Sequence, residues 1–274
     1  MQDEPQFAPP NMIPLYNDLI LLEVPQETVN VEPLTEEQRQ MWESGVPLMA
    51  IVPPKLDSDA VFAMLEKVKE ILKKHQPERA AEIEKTWAAL PTGPKDRQIF
   101  VNSLVSREGN VIENMLRGNE VSEDILAFLL NQALKPFVMA YAEKIIEEVN
   151  EDHWGKGYCP ACGSLPNFAR LSKAVGRRSL YCSLCETEWP YMRIGCPFCG
   201  TSDADNLRYF TVDDDSRYRV YVCENCRGYI KTIDESKAAE NEKIYLFLED
   251  IKTIHLDVLA MREGYTNKAI GAPV

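Results

Sequence analysis

The 274-residue chain is poor in the residues and motifs that most enzyme active sites need. It has only three histidines, His75, His153 and His255, and they lie far apart in the sequence. It contains no glycine-rich phosphate loop and no nucleophile-elbow motif. These absences argue against conventional side-chain catalysis, and we expect the chain not to be an enzyme.

Long apolar runs and positive charge are also scarce. No uninterrupted apolar run reaches the roughly 18 residues that a membrane helix needs, so we expect no membrane insertion. The N-terminus is acidic and lacks the basic segment of a secretory signal, which makes the cytoplasm the expected location. The chain has 30 basic and 43 acidic residues and a net charge of −13. Because nucleic-acid-binding proteins normally present a strongly basic face, nucleic acid is not an expected partner.

What the chain does have is eight cysteines, all of them in Cys-x-x-Cys pairs. In a reducing compartment such pairs are more often metal-binding or redox-active than structural disulfides. Both thiolates of a pair can point at one ion, and two such pairs complete a tetrahedral four-cysteine site. The pairs are Cys159/Cys162, Cys182/Cys185, Cys196/Cys199 and Cys223/Cys226.

These pairs predict two metal ions per chain, each bound by two pairs that are consecutive in the sequence. The motif Cys-Pro-x-Cys-Gly occurs at 159–163 and again at 196–200, which indicates an internal duplication. An arrangement in which the two middle pairs share a metal stays open, because the bridge from Cys185 to Cys196 is short. Four thiolates suit Zn²⁺ or a single rubredoxin-like iron. The metals can be purely structural, or an iron can cycle between redox states.

Outside the cysteine pairs, proline density and apolar spacing indicate the organisation. The many prolines in residues 1–56 predict an extended arm with one short helix over Glu36–Ser44. Helical spacing dominates from residue 57 to residue 153. Pro136 is expected to kink or split the helix predicted over 122–150.

The cysteine-rich segment has strand character instead, and after residue 231 the pattern returns to a helix. The predicted hairpins join Asn167–Leu171 to Arg178–Tyr181, and Leu207–Val212 to Arg217–Val222 through a turn at Asp213–Ser216. The predicted fold class is multidomain α plus small β. The predicted parts are a proline-rich arm (1–56), an α-helical domain (57–153), a first rubredoxin-like or zinc-ribbon four-cysteine module (154–194), a second such module (195–234), and a C-terminal helix and tail (235–274).

Two residues of the bridge between the modules are singled out. Trp189 and Arg193 lie between Cys185 and Cys196, in a segment too short for a flexible linker. They are predicted to form the joint between the modules. They are also the candidate partner-binding residues, with Arg193 the one that could instead contact a partner.

Four stretches resemble the FdhE-type formate dehydrogenase accessory proteins. Trp154–Pro166 is similar to the first cysteine knuckle of that family, and Leu180–Trp189 is similar to the second. Cys223–Lys231 resembles the closing knuckle. The tail, with Glu249-Asp250, Leu256-Asp257 and Glu263-Gly264-Tyr265, resembles the C-terminal helix signature.

This resemblance covers residues 154–265 and implies an assembly factor. Such a protein would bind the catalytic subunit of a molybdenum- or tungsten-dependent formate dehydrogenase in the cytoplasm, and that enzyme would need it to become active. The resemblance also implies an N-terminal helical domain before two rubredoxin-like modules, with iron as well as zinc a candidate metal.

Two other functions remain open from the residues alone. A double zinc ribbon could bind nucleic acid through the aromatic and arginine side chains of its hairpins, although the charge of −13 opposes this. A rubredoxin-like electron carrier would need iron in at least one site, but it would not need the large helical region.

Overall fold

The computed structural model of the chain describes residues 12–106, 108–212 and 217–269. These residues form two compact units. The helical unit comprises the described residues of Asn11–Glu32 together with Val52–Lys144, and the cysteine-rich unit comprises Pro33–Ile51 together with the described residues from Ile145 onward. The domain boundaries given above stay a prediction.

The elements follow the predicted order of helices, strands and helices. The helices are α1 (Met12–Leu19), α2 (Glu36–Glu43), α3 (Leu48–Ile51), α4 (Ser58–His75), α5 (Ala80–Ala88), α6 (Pro94–Val105), α7 (Gly109–Leu116), α8 (Glu123–Ile146), α9 (Leu246–Lys252) and α10 (Ile254–Arg262). The strands are β1 (Phe168–Leu171), β2 (Arg178–Tyr181), β3 (Glu188–Pro190), β4 (Leu207–Phe210), β5 (Tyr218–Cys223) and β6 (Tyr229–Asp234).

The helical unit is built around α4, whose apolar spacing predicts its buried face. Asp57 caps the helix by accepting a hydrogen bond of 2.8 Å from the Ala60 amide. The apolar side chains that recur along one face are buried in a core shared with α1 and α5–α8. That buried face of α4 consists of Val61, Leu65, Val68 and Leu72.

Two predictions for the helical region need correction. The described residues 12–56 contain three α-helices: α2 is the one that the sequence predicts, and α1 and α3 are additional. Helix α1 forms because Leu15 and Leu19 bury its apolar face and Pro14 lies in its first turn, where proline is tolerated. Residues 1–11 of the predicted arm lie outside the described residues. Helix α8 continues through Pro136 as one element, so it is not split there. Proline has no amide hydrogen to donate within the helix, but Ala133 and Phe137 next to it are packed in the core.

Helix α8 also bears on the membrane question. Among the described residues it alone is long and apolar enough to cross a membrane, judged by length and composition only. Half of its most apolar stretch is buried inside the protein. The expectation of no membrane insertion stays a prediction.

The cysteine-rich unit contains one six-stranded sheet in the order β3-β2-β1-β6-β5-β4. The first three strands form one antiparallel meander and the last three form another. Parallel pairing of β1 with β6 joins the two, with Phe168 opposite Lys231 and Leu171 opposite Asp234. The two predicted modules therefore share a single sheet. The predicted turn at Asp213–Ser216 lies outside the described residues.

A segment from the predicted arm packs against the first knuckle. Helix α2 begins with a capping box in which Thr35 and Gln38 exchange side-chain and backbone hydrogen bonds. Trp42 on this helix stacks on Trp154, with ring centroids 5.0 Å apart. The amides of Leu48 and Met49 then donate to the carbonyl oxygens of Pro160 and Ala161, at 2.9 and 2.8 Å. This segment covers the backbone of the first knuckle.

Two helices replace the single C-terminal helix that the sequence predicts. The break falls at Thr253, whose hydroxyl donates to the backbone oxygens of Glu249 and Asp250. The apolar pattern still predicts the packing. Leu246 of α9 contacts Phe168, Tyr181 and Ile233, whereas Leu256 and Ala260 of α10 pack on Val220, Val222 and Tyr229.

Candidate metal centres

Eight cysteines form two groups of four, paired as the duplicated motif predicts. In each group the four sulfur atoms lie within 4.8 Å of one another, so each group could hold a metal ion. Neighbouring sulfur atoms lie 3.4–3.5 Å apart in the first group and 3.6–3.7 Å apart in the second. Four sulfurs about 2.3 Å from one ion in a tetrahedron would be roughly 3.8 Å apart, so both groups fit the geometry. The first centre is Cys159, Cys162, Cys182 and Cys185; the second is Cys196, Cys199, Cys223 and Cys226.

Each of the four knuckles makes the same tight turn. The amide four residues after the first cysteine donates to that cysteine's carbonyl oxygen, at 2.8–3.0 Å in all four cases. The donating residue has a positive φ each time: Gly163 (81°), Glu186 (57°), Gly200 (73°) and Arg227 (56°). Glycine signals this conformation in two knuckles. In the other two, bulkier residues adopt the left-handed region without a sequence signal.

The two centres differ in exposure. All four cysteines of the first centre are buried, whereas Cys199 of the second is exposed and Cys226 is half-buried. In the first centre, burial raises the pKa of Cys159, and hydrogen bonds from neighbouring thiols lower the pKa of Cys162. Burial also opposes ionisation of Cys199, but hydrogen bonds from the Thr201 amide and the Asn225 side chain lower its pKa to about 7. The second centre is therefore the more accessible of the two to solvent.

Trp189 and Arg193 both contribute contacts near the joint, in unequal ways. Trp189 on β3 is fully buried, and its indole nitrogen donates to the Lys156 carbonyl at 3.0 Å. Arg193 is exposed and donates to the Tyr221 hydroxyl on β5 at 3.0 Å. Because the Trp189 side chain has no exposed surface in this fold, only Arg193 of the two candidate partner-binding residues is accessible to a partner.

Arg178 is a joint residue that sequence reasoning missed. It lies on β2, beside the first centre's second knuckle, and is only 2% exposed. Its Nη1 donates to the carbonyl oxygen of Gly195, the residue before Cys196, at 2.8 Å. Its guanidinium also faces the rings of Tyr191 and Tyr221, at 5.9 and 5.4 Å. Only the tertiary structure distinguishes Arg178 from its exposed neighbour Arg177.

Gly157 allows the backbones of the two modules to approach each other closely. Gly157 lies two residues before Cys159, and a methyl group at its Cα would stand 1.8 Å from the carbonyl oxygen of Pro197. Pro197 is part of the second centre's first knuckle. The approach leaves no room for any side chain, which explains a glycine here without a special backbone conformation.

Substitution of Gly157 by alanine is expected to lower the free energy of unfolding by about 2 kcal/mol or more, since the rigid backbone of the knuckle would have to move. Urea denaturation of the metal-loaded chain, followed by tryptophan fluorescence, measures the change. Gly195→Ala is the matched control. Its new methyl group would overlap only with the flexible Met192 side chain, which can rotate away, and would lie 3.5 Å from the Tyr191 ring, an ordinary contact distance, so a loss within about 1 kcal/mol is expected. Equal stability of the two variants would contradict the close approach at Gly157.

Comparison with known proteins shows that the residues of the first centre are similar to one family. Residues 158–193 match the family model described as "FdhE, central domain". This stretch is similar to the FdhE central domain. It includes both knuckles of the first centre and ends at Arg193. The predicted resemblance to FdhE proteins is therefore confirmed on the residues that suggested it.

Similarity extends beyond the FdhE central domain. The chain is 33% identical to the protein FdhE homolog of Aquifex aeolicus over 174 residues, which cover 62% of this chain and 60% of that protein. It is 34% identical to protein FdhE of Escherichia coli K12 over 116 residues, or 41% of this chain and 36% of that protein. The alignments thus span less than two thirds of these relatives' own length.

The fold is also similar to that of a solved FdhE structure. The crystal structure of the FdhE protein from Pseudomonas aeruginosa superposes with a TM-score of 0.56, covering 93% of this chain and 82% of that one. Sequence identity there is 21%, so this likeness concerns the fold alone. It includes the helical region, for which the sequence resemblance predicted only a helical domain.

Proposed function

We propose that the chain is an accessory protein that binds the catalytic subunit of a molybdenum- or tungsten-dependent formate dehydrogenase and that this enzyme needs for activity. The observation that supports the proposal best is the similarity to the FdhE central domain, over residues that include a four-cysteine centre. We propose a binding role and not a catalytic one, because the sequence contains no glycine-rich phosphate loop and no nucleophile-elbow motif. The eight free thiols suit a reducing compartment, and we propose the cytoplasm.

Each four-cysteine group is proposed to hold one iron or zinc ion. Such an ion would cross-link two knuckles, and iron would add the capacity for a one-electron change. The chain's own residues set the geometry of the two centres. The left-handed turns aim the sulfurs at a common point, and the shared sheet fixes the two centres relative to each other.

The accessible part of the joint is the surface proposed for the client. Met192, Arg193 and Ile194 are consecutive and exposed, with 46% and 59% exposure for the two apolar side chains. Exposed apolar groups beside an arginine are typical of protein interfaces, where arginine and methionine are enriched. We call residues 192–194 the joint loop. It connects the modules, so its shape depends on both centres.

The proposal predicts that tagged, metal-loaded protein captures the formate dehydrogenase catalytic subunit from cells that express it. Arg193→Glu should reduce the captured amount several-fold, because it reverses the charge at the joint loop. Arg177→Glu is the matched control. Arg177 is also exposed, but it pairs with Asp152 away from the joint loop, so capture should be unchanged.

Three further outcomes decide between the alternatives. Cys196→Ser/Cys199→Ser should lose about one equivalent of metal and lose the client, because the second module would no longer be held together. No capture by the wild-type protein would overturn the proposal. Capture of RNA or DNA with a steep salt dependence would instead favour the nucleic-acid-binding ribbon.

A further inference from the structure

A cavity of about 170 Å³ lies beside the second cysteine centre. Three arginines, Arg178, Arg193 and Arg208, contribute to its wall. None of the described residues that line it is aspartate or glutamate. A concave site with convergent cations and no acidic group is suited to an anion.

Arg178 is the strongest evidence that an anion belongs there. It is 2% exposed, and its Nε has no hydrogen-bond partner. Among the described residues, the one hydrogen bond of its side chain goes to the neutral Gly195 carbonyl. Burial of a cation without a carboxylate is costly, because the charge loses water and gains no counter-ion.

Other buried or half-buried cations of the same sheet are paired. Arg170 contacts Glu188 and Glu235 at 2.6 and 2.9 Å. Arg219 contacts Asp234 at 2.6 Å. The Nε of Arg170 also lacks a hydrogen-bond partner, so the feature that distinguishes Arg178 among these cations is the absence of a carboxylate partner among the described residues.

The metal proposed for the second centre does not account for all of this charge. Four thiolates around a divalent ion leave a charge of −2, against three positive charges from the arginines. The nearby Glu224 is engaged elsewhere, by Arg227 and by the Tyr265 hydroxyl at 2.5 and 2.7 Å. The wall therefore stays net positive when metal is bound.

The remaining residues of the cavity wall indicate what kind of molecule the anionic group belongs to. Phe198, Leu207, Val222 and Ile230 contribute apolar surface. The rings of Tyr209 and Tyr221 lie 5.4 Å apart, and Tyr209 is 55% exposed at the rim. Flat apolar groups stack well on such rings and on guanidinium planes.

We propose that this cavity binds an organic anion whose charged group is attached to a flat apolar body. Arg178 meets the charge from inside, Arg193 and Arg208 meet it from the rim, and the tyrosines and Phe198 pack on the body. The inference goes beyond the proposed function and stands if that function fails. The same chemistry can come from a free small molecule or from an acidic, aromatic segment of a polypeptide.

Anilinonaphthalene sulfonate is a suitable probe, because it joins a sulfonate to flat aromatic rings and fluoresces when bound. It should bind the folded, metal-loaded chain with one site. Phenylnaphthylamine, which has similar rings but no sulfonate, should bind at least about tenfold more weakly, the loss expected when a charged hydrogen bond is absent. Equal binding of the two dyes would overturn the proposal.

Variants locate the probe on the chain. Arg193→Gln/Arg208→Gln removes two rim charges from exposed positions, where folding is not at risk, and should weaken binding about tenfold. Arg177→Gln removes the same kind of charge outside the cavity and should change binding less than about twofold. Unchanged binding by the double variant, or an equal loss in Arg177→Gln, would place the probe elsewhere and refute the site.

Displacement then distinguishes the two sources of the anion. Displacement of the bound probe by naphthoate, but not by a short peptide containing adjacent aspartate and phenylalanine, supports a small-molecule ligand. Displacement by the peptide at similar concentration supports a polypeptide ligand. Failure of both competitors at saturating concentration would contradict an organic-anion site.

Discussion

Treatment of the metal-loaded protein with a chelator is expected to release one ion rapidly and the other slowly. The rapid equivalent should come from the second centre, where Cys199 is exposed and Cys226 half-buried. A chelator can reach that ion without unfolding the protein. All four cysteines of the first centre are buried, and the segment that contains Leu48 and Met49 covers the backbone of its first knuckle.

The size of the difference follows from local opening. If exposure of the first centre costs about 3 kcal/mol, its release is slowed roughly a hundredfold relative to the second. A chromogenic chelator under anaerobic conditions measures both phases and their amplitudes. Cys199→Ser should abolish most of the rapid phase and keep the slow one. Two equivalents leaving in a single phase would show that burial does not control access.

Cys162→Ser is the matched substitution in the buried centre. It should remove the slow equivalent and disturb the packing of the tryptophans in the cysteine-rich unit, because a structural ion contributes roughly 10–16 kcal/mol to small cysteine-ligated modules. Near-ultraviolet circular dichroism of the tryptophans reports this. Three of the four, Trp42, Trp154 and Trp189, lie in the cysteine-rich unit. A native spectrum for Cys162→Ser would contradict a structural role of the first centre.

Substitution of Lys231 by methionine is expected to lower the free energy of unfolding of the cysteine-rich unit by about 3 kcal/mol. Lys231 on β6 is 2% exposed, and its Nζ lies 2.8 Å from Asp250 and 2.6 Å from Asp257. Both aspartates belong to the C-terminal helices. Without the lysine, these two carboxylates would lie near buried surface with no positive charge to balance them. The expected loss of about 3 kcal/mol is at the low end of the range for breaking a buried ion pair, because both carboxylates keep some contact with water.

The effect of this substitution should depend on pH. Burial raises the pKa of Asp250, and Lys231 opposes that rise. Without Lys231 the folded state would hold the Asp250 proton more tightly than the unfolded state does. The variant should therefore lose more stability, relative to the wild type, as pH rises above the ordinary aspartate pKa of 3.8. Urea denaturation at several pH values measures both the deficit and its slope.

Lys173→Met is the matched control for Lys231→Met. Lys173 is exposed at the turn after β1, and its amine lies 3.5 Å from the Ala238 carbonyl oxygen. The substitution should cost less than about 1 kcal/mol at any pH. A similar loss in both variants would mean that the buried lysine does not anchor the C-terminal helices.

Prediction from sequence works best where the signal is local. Two cysteines separated by two residues must lie close together, so the knuckles are recognisable without a structure. The hairpins next to them and the buried face of α4 follow from short-range alternation and helical spacing. Even there, the left-handed turns at Glu186 and Arg227 have no glycine to mark them.

Contacts between distant segments could not be predicted in this way. The parallel pairing of β1 with β6 joins residues about 60 positions apart, and no periodicity specifies it. The backbone bonds from Leu48 and Met49 to the first knuckle span more than 100 residues. The sequence predicted one short helix there, over Glu36–Ser44, which is α2; the docked segment also contains α3, which the sequence did not predict.

The sequence by itself determined the four cysteine knuckles, the helical region and the likeness to FdhE proteins, because these depend on residue type and short spacing. It favoured the pairing of consecutive knuckles, and the tertiary structure decided between that pairing and the alternative. The tertiary structure decided that the modules share one sheet, that the first centre is closed and the second open, and that Arg178 and Lys231 are buried. These features depend on which distant surfaces meet. Burial is what turns an ordinary arginine into an unpaired charge in a cavity wall, and an ordinary lysine into an anchor for two helices.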